Sequence, residues 1–352
     1  MSGFVSGRGA RLTPKRLAVV LGTCAIVCAL VCVLAPLLGV IMTPGGRRLQ
    51  LLGLDAFDVG SAEHRLFMVR LPRVLGAMLV GAALSAAGCA MQALLRNPLA
   101  EPYTLGISSG SSLAAVLAIR LGVEGAFGGA GVGVSALLGA MATLVLIERL
   151  GRMGRHLPPA TIVLAGVTIS MFCSAASMLI QYTSDFSDVS HMLAWMIGAL
   201  DSVRLGSVEY AAVPIGVGLV ALILYGRELN ALAAGPDVAA ALGVAVARTE
   251  VTIFGLASLL VGVAIAIAGP IGFVGLIVPH TLRALLGPDH RLLVPASVFG
   301  GATLLVVCDT LARTLTAPAH LPTGAVTAVL GGPFFIAILV QRKRYAALWG
   351  RV

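Results

Sequence analysis

Apolar residues run along this chain in long blocks, each closed by charged residues or by Gly, Pro and Ser. A helix needs roughly 20 apolar residues to cross a bilayer. By that measure the blocks predict ten spans, at 17–42, 71–95, 103–119, 130–150, 161–181, 207–225, 251–268, 275–287, 292–315 and 323–341. The third and eighth are short or interrupted by Gly, Ser and Pro. The first follows a basic leader (Arg8, Arg11, Lys15, Arg16). It is much longer than the roughly 7–15 apolar residues of a signal core, and no small-x-small cleavage site follows, so it reads as a retained span.

An internal repeat accompanies the blocks. LVGAALSAAG at 79–88 and LVGVAIAIAG at 260–269 share the pattern LVGxAxxxAG, 181 residues apart. The copies fall in the second and seventh spans, five crossings apart, and therefore run in opposite directions. Leu157-Pro158 and Leu321-Pro322 lead into the fifth and tenth spans as a weaker echo. The expected fold is all-α: a single membrane-spanning domain over 1–352, in a five-plus-five inverted repeat. Its first half covers about 17–181 and its second about 207–341. Inverted repeats are a transporter feature, with pathways where the halves meet.

Composition fits the pattern: 58% of residues are hydrophobic and 11% charged, against about 25% charged in soluble domains. The net charge of +9 does not point to nucleic acid, because the basic residues punctuate block ends instead of forming a stripe with aromatics. With the N-terminus inside, 16 of the 24 basic residues fall inside and 8 outside, which favours cytoplasmic N- and C-termini. The outside set includes Arg70, Arg73 and Arg313, which that rule leaves over. The six cysteines all lie in apolar blocks; Cys24, Cys28 and Cys32 line one helix face with no nearby His or carboxylate, and read as packing residues.

Four segments carry candidate function. In RNPLAEPYTLGISSGSS (96–112), Pro98 and Pro102 precede Gly106, Ser108, Ser109 and Gly110. Irregular backbone at membrane depth must line protein or a wet cavity, so this is a gate, a close-packing helix, or both. The inside loop 226–250 holds two short helix-forming stretches broken at Gly235 and Gly243. It far exceeds the 2–8 residues a connection needs and reads as a docking knob. In 269–295, His280 and Arg283 share a helix face; a proton relay and simple snorkelling or capping both fit. The outside arginines suit headgroups or an acidic protein docking from outside.

No GxxxxGK[ST] phosphate loop is present, so the chain does not hydrolyse ATP by that route. Glu148 and Asp309 lie near span ends and form no mid-membrane carboxylate chain. An ion- or proton-coupled secondary carrier working without an ATPase nevertheless stands as the alternative.

RLPR (70–73), GAALSAAGCAMQALLRNPLAEPYTLGISSG (81–110), WMIGAL (195–200), FVGLIVPHTLR (273–283) with GPDHRLLVP (287–295), and LPTGAVTAVLGGPFF (321–335) resemble the FecCD-type permeases of ABC importers. That family takes up iron–siderophores, haem and cobalamin. The resemblance implies a non-enzymatic permease in a bacterial or archaeal cell membrane, paired with a second copy or a close paralogue. Two separate ATP-binding cassette subunits would carry ATP-Mg, and a periplasmic or lipid-anchored binding protein would deliver substrate; this chain would hold no cofactor or metal. It further implies docking of the binding protein on Arg70, Arg73 and Arg313, and a cytoplasmic gate at Asn97 and Leu99. ATPase coupling would run through 226–250 (Asn230, Ala231, Gly235, Leu242, Gly243), and the fifth and tenth spans would line the pathway. Two positions depart from the family. Pro158, Pro159, Ala160 and Thr161 stand where small polar residues are usual, and His320-Leu321-Pro322 stands where Glu-Leu-Pro or Glu-Ile-Pro is usual. Met171, Met178, Met192 and Met196 would suit haem, but in an apolar chain such residues more often pack.

Overall fold

A computed structural model describes residues 13–43, 46–101, 106–126, 130–151, 158–317 and 321–349. The described α-helices are α1 (Pro14–Leu37), α2 (Ala62–Leu94), α3 (Ile107–Arg120), α4 (Gly131–Gly151), α5 (Pro159–Tyr182), α6 (Phe186–Ile197), α7 (Leu205–Leu224), α8 (Gly226–Ala234), α9 (Pro236–Ala241), α10 (Val246–Ala268), α11 (Val274–Leu286), α12 (His290–Leu315) and α13 (Thr323–Trp349). Eight of them are long and apolar enough to cross a membrane; α3 and α11 are the shorter apolar helices that complete the expected ten.

Three local features differ from expectation. The first span ends at Leu37, not near 42, and the chain continues as a hairpin of β1 (Leu38–Thr43) and β2 (Gly46–Leu51), with Leu38 opposite Leu51. β-Branched Val40 and Ile41 favour a strand over another helical turn. The second helix begins at Ala62, nine residues before the apolar block, because the Ser61 hydroxyl caps it by accepting from the His64 N–H at 2.9 Å. Between the fifth and sixth spans lies the amphipathic helix α6, which a search for span-length blocks passes over.

Small residues decide what sits at the centre. In α2, 83% of the most apolar window is buried by the rest of the chain, against 6% in α1. Mean hydropathy is higher in α1 (2.9) than in α2 (1.9), so apolarity does not explain which is central. The difference is the run of Gly, Ala and Ser in α2, which lets backbones approach closely. A Cβ added to Gly81 would overlap the Gly301 carbonyl of α12, and one added to Gly88 would overlap the Gly275 carbonyl at the start of α11.

The packing repeats as the sequence does. α2 lies along α12 as α10 lies along α4, α3 packs on α4 as α11 packs on α12, and the two repeat-bearing helices α2 and α10 pack on each other. Gly262, the second-half counterpart of Gly81, faces Ala140 of α4. Second-with-ninth and seventh-with-fourth contacts are what a five-plus-five repeat requires.

α3 and α11 occupy equivalent places in the two halves. At 14 and 13 residues, and 1.5 Å per residue, each spans about 20 Å, short of a hydrocarbon core of about 30 Å. Each starts from a residue in the left-handed region, Gly106 (φ +89°) or Phe273 (φ +70°). Gly106 takes that conformation at little cost and packs against the Gly166 carbonyl of α5. Phe273 is held there by its surroundings: its ring fills the space beside Gly331 of α13.

Candidate functional site

Three groups of residues bear on function, one near the start of α2 and two near its other end. The chain leaves α2 through Leu95 and reverses at Arg96, whose φ is +49°. Asn97 then closes a tight turn: its Oδ1 accepts the Leu99 N–H at 3.0 Å, and its carbonyl accepts the Ala100 N–H at 3.0 Å. Asn97 is exposed and Leu99 half-buried. Glu101, which the sequence did not single out, is buried and accepts a hydrogen bond from the Phe273 backbone, tying this turn to the start of α11. Residues 102–105, including Pro102, lie outside the described residues.

The Gly/Ser stretch beyond is a packing surface. Gly110 meets Thr143 and Gly139 of α4, the Ser111 hydroxyl donates to the Ala136 carbonyl at 2.8 Å, and Ser108 is buried. Ser109 alone of the four singled-out positions is partly open.

Beside the turn stands the knob. α8 and α9 join at Gly235 (φ +127°). Leu229, Ala231 and Leu232 are buried beneath it, whereas Val238 (45% exposed) and Leu242 (70% exposed) project from it, and Gly243 lies at its exposed end. Asn230 turns inward. Its amide donates to Asp289 Oδ1 at 2.8 Å, and its Oδ1 accepts from the His290 backbone N–H at 2.8 Å and faces His290 Nδ1 at 2.8 Å. Asp289 also caps α12, and Arg291 grips it at 2.6 Å. Hydrogen bonding from Arg291 first, then from Asn230, holds the Asp289 carboxyl down at about 2, against 3.8 ordinarily. Thus Asn230 and Ala231 serve the knob's attachment, and Leu242 and Gly243 its free surface.

An open cavity of about 600 Å³ separates knob from turn, lined among others by Arg96, Pro98, Asn230 and Arg283. Arg283 donates to Gln92 Oε1 at 2.8 Å, and Gln92 donates to the Gly275 carbonyl at 3.1 Å. That binds α11 to α2. His280 stands edge-on to Phe334 of α13, ring centroids 6.1 Å apart. His280 and Arg283 therefore serve different partners.

The arginine cluster lies near the opposite end of α2. Arg73 Nε donates to Asp309 Oδ1 of α12 at 2.7 Å, and Thr323 at the start of α13 donates to the same oxygen at 2.9 Å. Arg313 donates to the Ala35 carbonyl of α1, and its Nε lies 3.9 Å from Asp309 Oδ2. Arg70 donates to the Pro36 and Leu38 carbonyls at 3.2 Å each, closing the end of α1. Arg70 and Arg73 are partly accessible, whereas Arg313 is 8% exposed. The structure thus brings all three arginines together. It also sets among them Asp309 and Thr323, to which the sequence assigned no role: the i,i+4 spacing of Asp309 and Arg313 was open to view, but Asp309's bond to Arg73 spans 236 residues and leaves no local mark.

The methionines do not form one face. Met171 and Met178 point away from the chain's core, Met192 is fully buried, and the Met196 sulfur accepts from Gln181 at 3.1 Å.

The pattern of the FecCD transport family matches residues 19–341. The chain belongs to that family. Among the relatives of this FecCD permease, the hemin transport system permease protein of Yersinia pestis is 39% identical over 282 residues, covering 80% of this chain and 84% of the relative. The vitamin B12 import system permease protein of Shigella boydii is 37% identical over 297 residues, covering 84% and 89%. A solved metal-chelate type ABC transporter in an inward-facing conformation matches with a TM-score of 0.79 and 29% identity, over 92% of this chain and 99% of that one. A second solved structure, PsaBC of Streptococcus pneumoniae in complex with Fab, shares the fold at TM-score 0.53 and 16% identity. The FecCD permease is accordingly a multi-pass membrane subunit of an ABC importer. It is not itself an enzyme, and it associates with ATPase and substrate-binding subunits.

Proposed function

We propose that two copies of this FecCD permease enclose a passive pathway for a metal chelate of the ferric-siderophore, haem or cobalamin class. ATP-Mg on two partner ATPases would drive it from the cytoplasmic side, where both termini also lie, and a substrate-binding protein would load it from outside. The observation that carries the reading is the knob. α8 and α9 present Val238 and Leu242 to solvent while Asn230 fastens them to the cap of α12. Exposed apolar residues on a short, non-spanning helix pair suit a protein partner, and the fastening gives motion of that partner a rigid element to push.

On this reading two copies pair through exposed apolar faces of α5 and α13, the fifth and tenth spans. Leu164, Met171 and Met178 on α5 are 67%, 70% and 72% exposed, and Val329 and Ile336 on α13 are 72% and 61% exposed. α1 (Val19, Ile26, Val33) and α7 (Tyr210, Val217, Leu224) carry equivalent stripes, which on this reading face lipid. On this reading Asn97 and Leu99 form the inner gate, beside the knob. Docking of the binding protein uses Arg70 and Arg73, the partly accessible members of the cluster, with Arg313 behind them.

The test is Leu242→Asp in the reconstituted importer. Uptake should fall at least about tenfold while the permease still assembles with its binding protein; unchanged ATP-driven uptake would remove the knob from the coupling path.

A further inference from the structure

We infer that Asp309 is an internal stand-in for the acidic group of the docking protein, and that its release from Arg73 passes docking on to α13 through Thr323. The inference rests on the reading that the binding protein docks on this arginine cluster. Asp309 is 1% exposed, on a helix otherwise devoted to close packing. Arg70 and Arg73 both lie within Coulombic reach of Arg313, and Asp309 pairs with Arg73 and Arg313. Three positive charges against one negative leave the cluster short of anions. Burying an unmatched charge is costly, so the arrangement favours an incoming carboxylate.

The hydrogen bonds show the same deficit. Arg313 is buried, yet among the described residues its Nε and Nη1 have no hydrogen-bond partner, and Asp309 Oδ2 likewise has none. Arg73 spends only Nε on Asp309. Its remaining N–H groups can take a second carboxylate in the forked geometry that arginine favours. A second carboxylate at Arg73 repels the first and weakens the Arg73–Asp309 bond. Asp309 Oδ1 is the oxygen that also accepts from Thr323. A change at Arg73 is therefore felt at once at the first residue of α13, whose buried hydroxyl donates to that oxygen. Docking and the position of α13 are in this way two outputs of one carboxylate.

The stand-in role predicts effects of opposite sign, which a purely structural role does not. In the complete importer in lipid nanodiscs, Asp309→Asn keeps an acceptor for Arg73 and Thr323 but removes the competing charge. Affinity for the system's own substrate-binding subunit should rise about tenfold, the order of one close charge interaction. The stimulation of ATP hydrolysis by that subunit should fall by at least about threefold. Thr323→Val, which alters no charge, should leave affinity unchanged and lower the stimulation similarly; it carries the test alone if Asp309→Asn fails to assemble. Equal or weaker binding by Asp309→Asn, or full stimulation in either variant, overturns the inference. Arg73→Glu separates the two levels. Undiminished binding there sinks the docking reading itself, whereas lost binding with an unaltered Asp309→Asn sinks the stand-in alone.

Discussion

Single residues in this permease work as ties between distant segments. Asp309 joins α2, α12 and α13, and Asn230 joins the knob to α12. Breaking a buried ion pair by removing one partner typically costs about 3–5 kcal/mol. Asp309→Leu should accordingly lower the thermal transition of the purified permease sharply; a transition within a degree or so of wild type would show that the pair adds nothing to the fold. Asp289 behaves differently because it titrates. Its pKa is depressed in the fold, to about 2 from 3.8, so its contribution is complete above the ordinary value and disappears as pH falls toward 2. The stability gap between wild type and Asp289→Asn should thus be constant from neutrality down to about pH 4 and close below it. A gap that changed around neutrality would assign the effect to another group.

The sequence carried these residues unevenly. Arg70, Arg73 and Arg313 stood out as cations in an unexpected place; Asp309, four residues before Arg313, was legible as that arginine's neighbour, but its bond to Arg73 was not. Asn230 was legible as part of the knob and not as its fastener, since the partners Asp289 and His290 come 59 and 60 residues later. Glu101 was hidden in a proline-rich motif, and its partner is a backbone N–H, which no side-chain pattern marks.

At the scale of elements, small residues set the architecture. Ten apolar blocks could be placed from hydropathy, and the short third and eighth blocks became the short helices α3 and α11. Which blocks lie inside was not visible in hydropathy, because the exposed α1 (mean hydropathy 2.9) is more apolar than the buried α2 (1.9); the Gly/Ala/Ser content of α2 accounts for it. Gly88→Val should prevent α2 from reaching α11, where backbone meets backbone. Loss of the folded, monodisperse permease on size-exclusion chromatography is the expected result, and wild-type yield would contradict the close approach. The hairpin at Leu38–Leu51 and the helix α6 escaped the sequence reading because each is too short to form a span-length block.

The whole molecule presents exposed apolar bands on α1, α5, α7 and α13, of which those on α5 and α13 are assigned to a second copy, and a knob that suits a motor. In a background without the six native cysteines, Met171→Cys should cross-link one subunit to another on oxidation. Exclusively monomeric product at that position and at its stripe neighbour Met178→Cys would place the α5 face against lipid. The account's central claim is that the chain is a conduit moved by others, with no energy source of its own. The most direct measurement is uptake of a ferric siderophore, haem or cobalamin into proteoliposomes, with an imposed ion gradient and with or without the ATPase subunits, ATP and the binding protein. Accumulation should occur only when ATPase, ATP and binding protein are all present. Accumulation by the permease alone, driven by the ion gradient, would contradict the account.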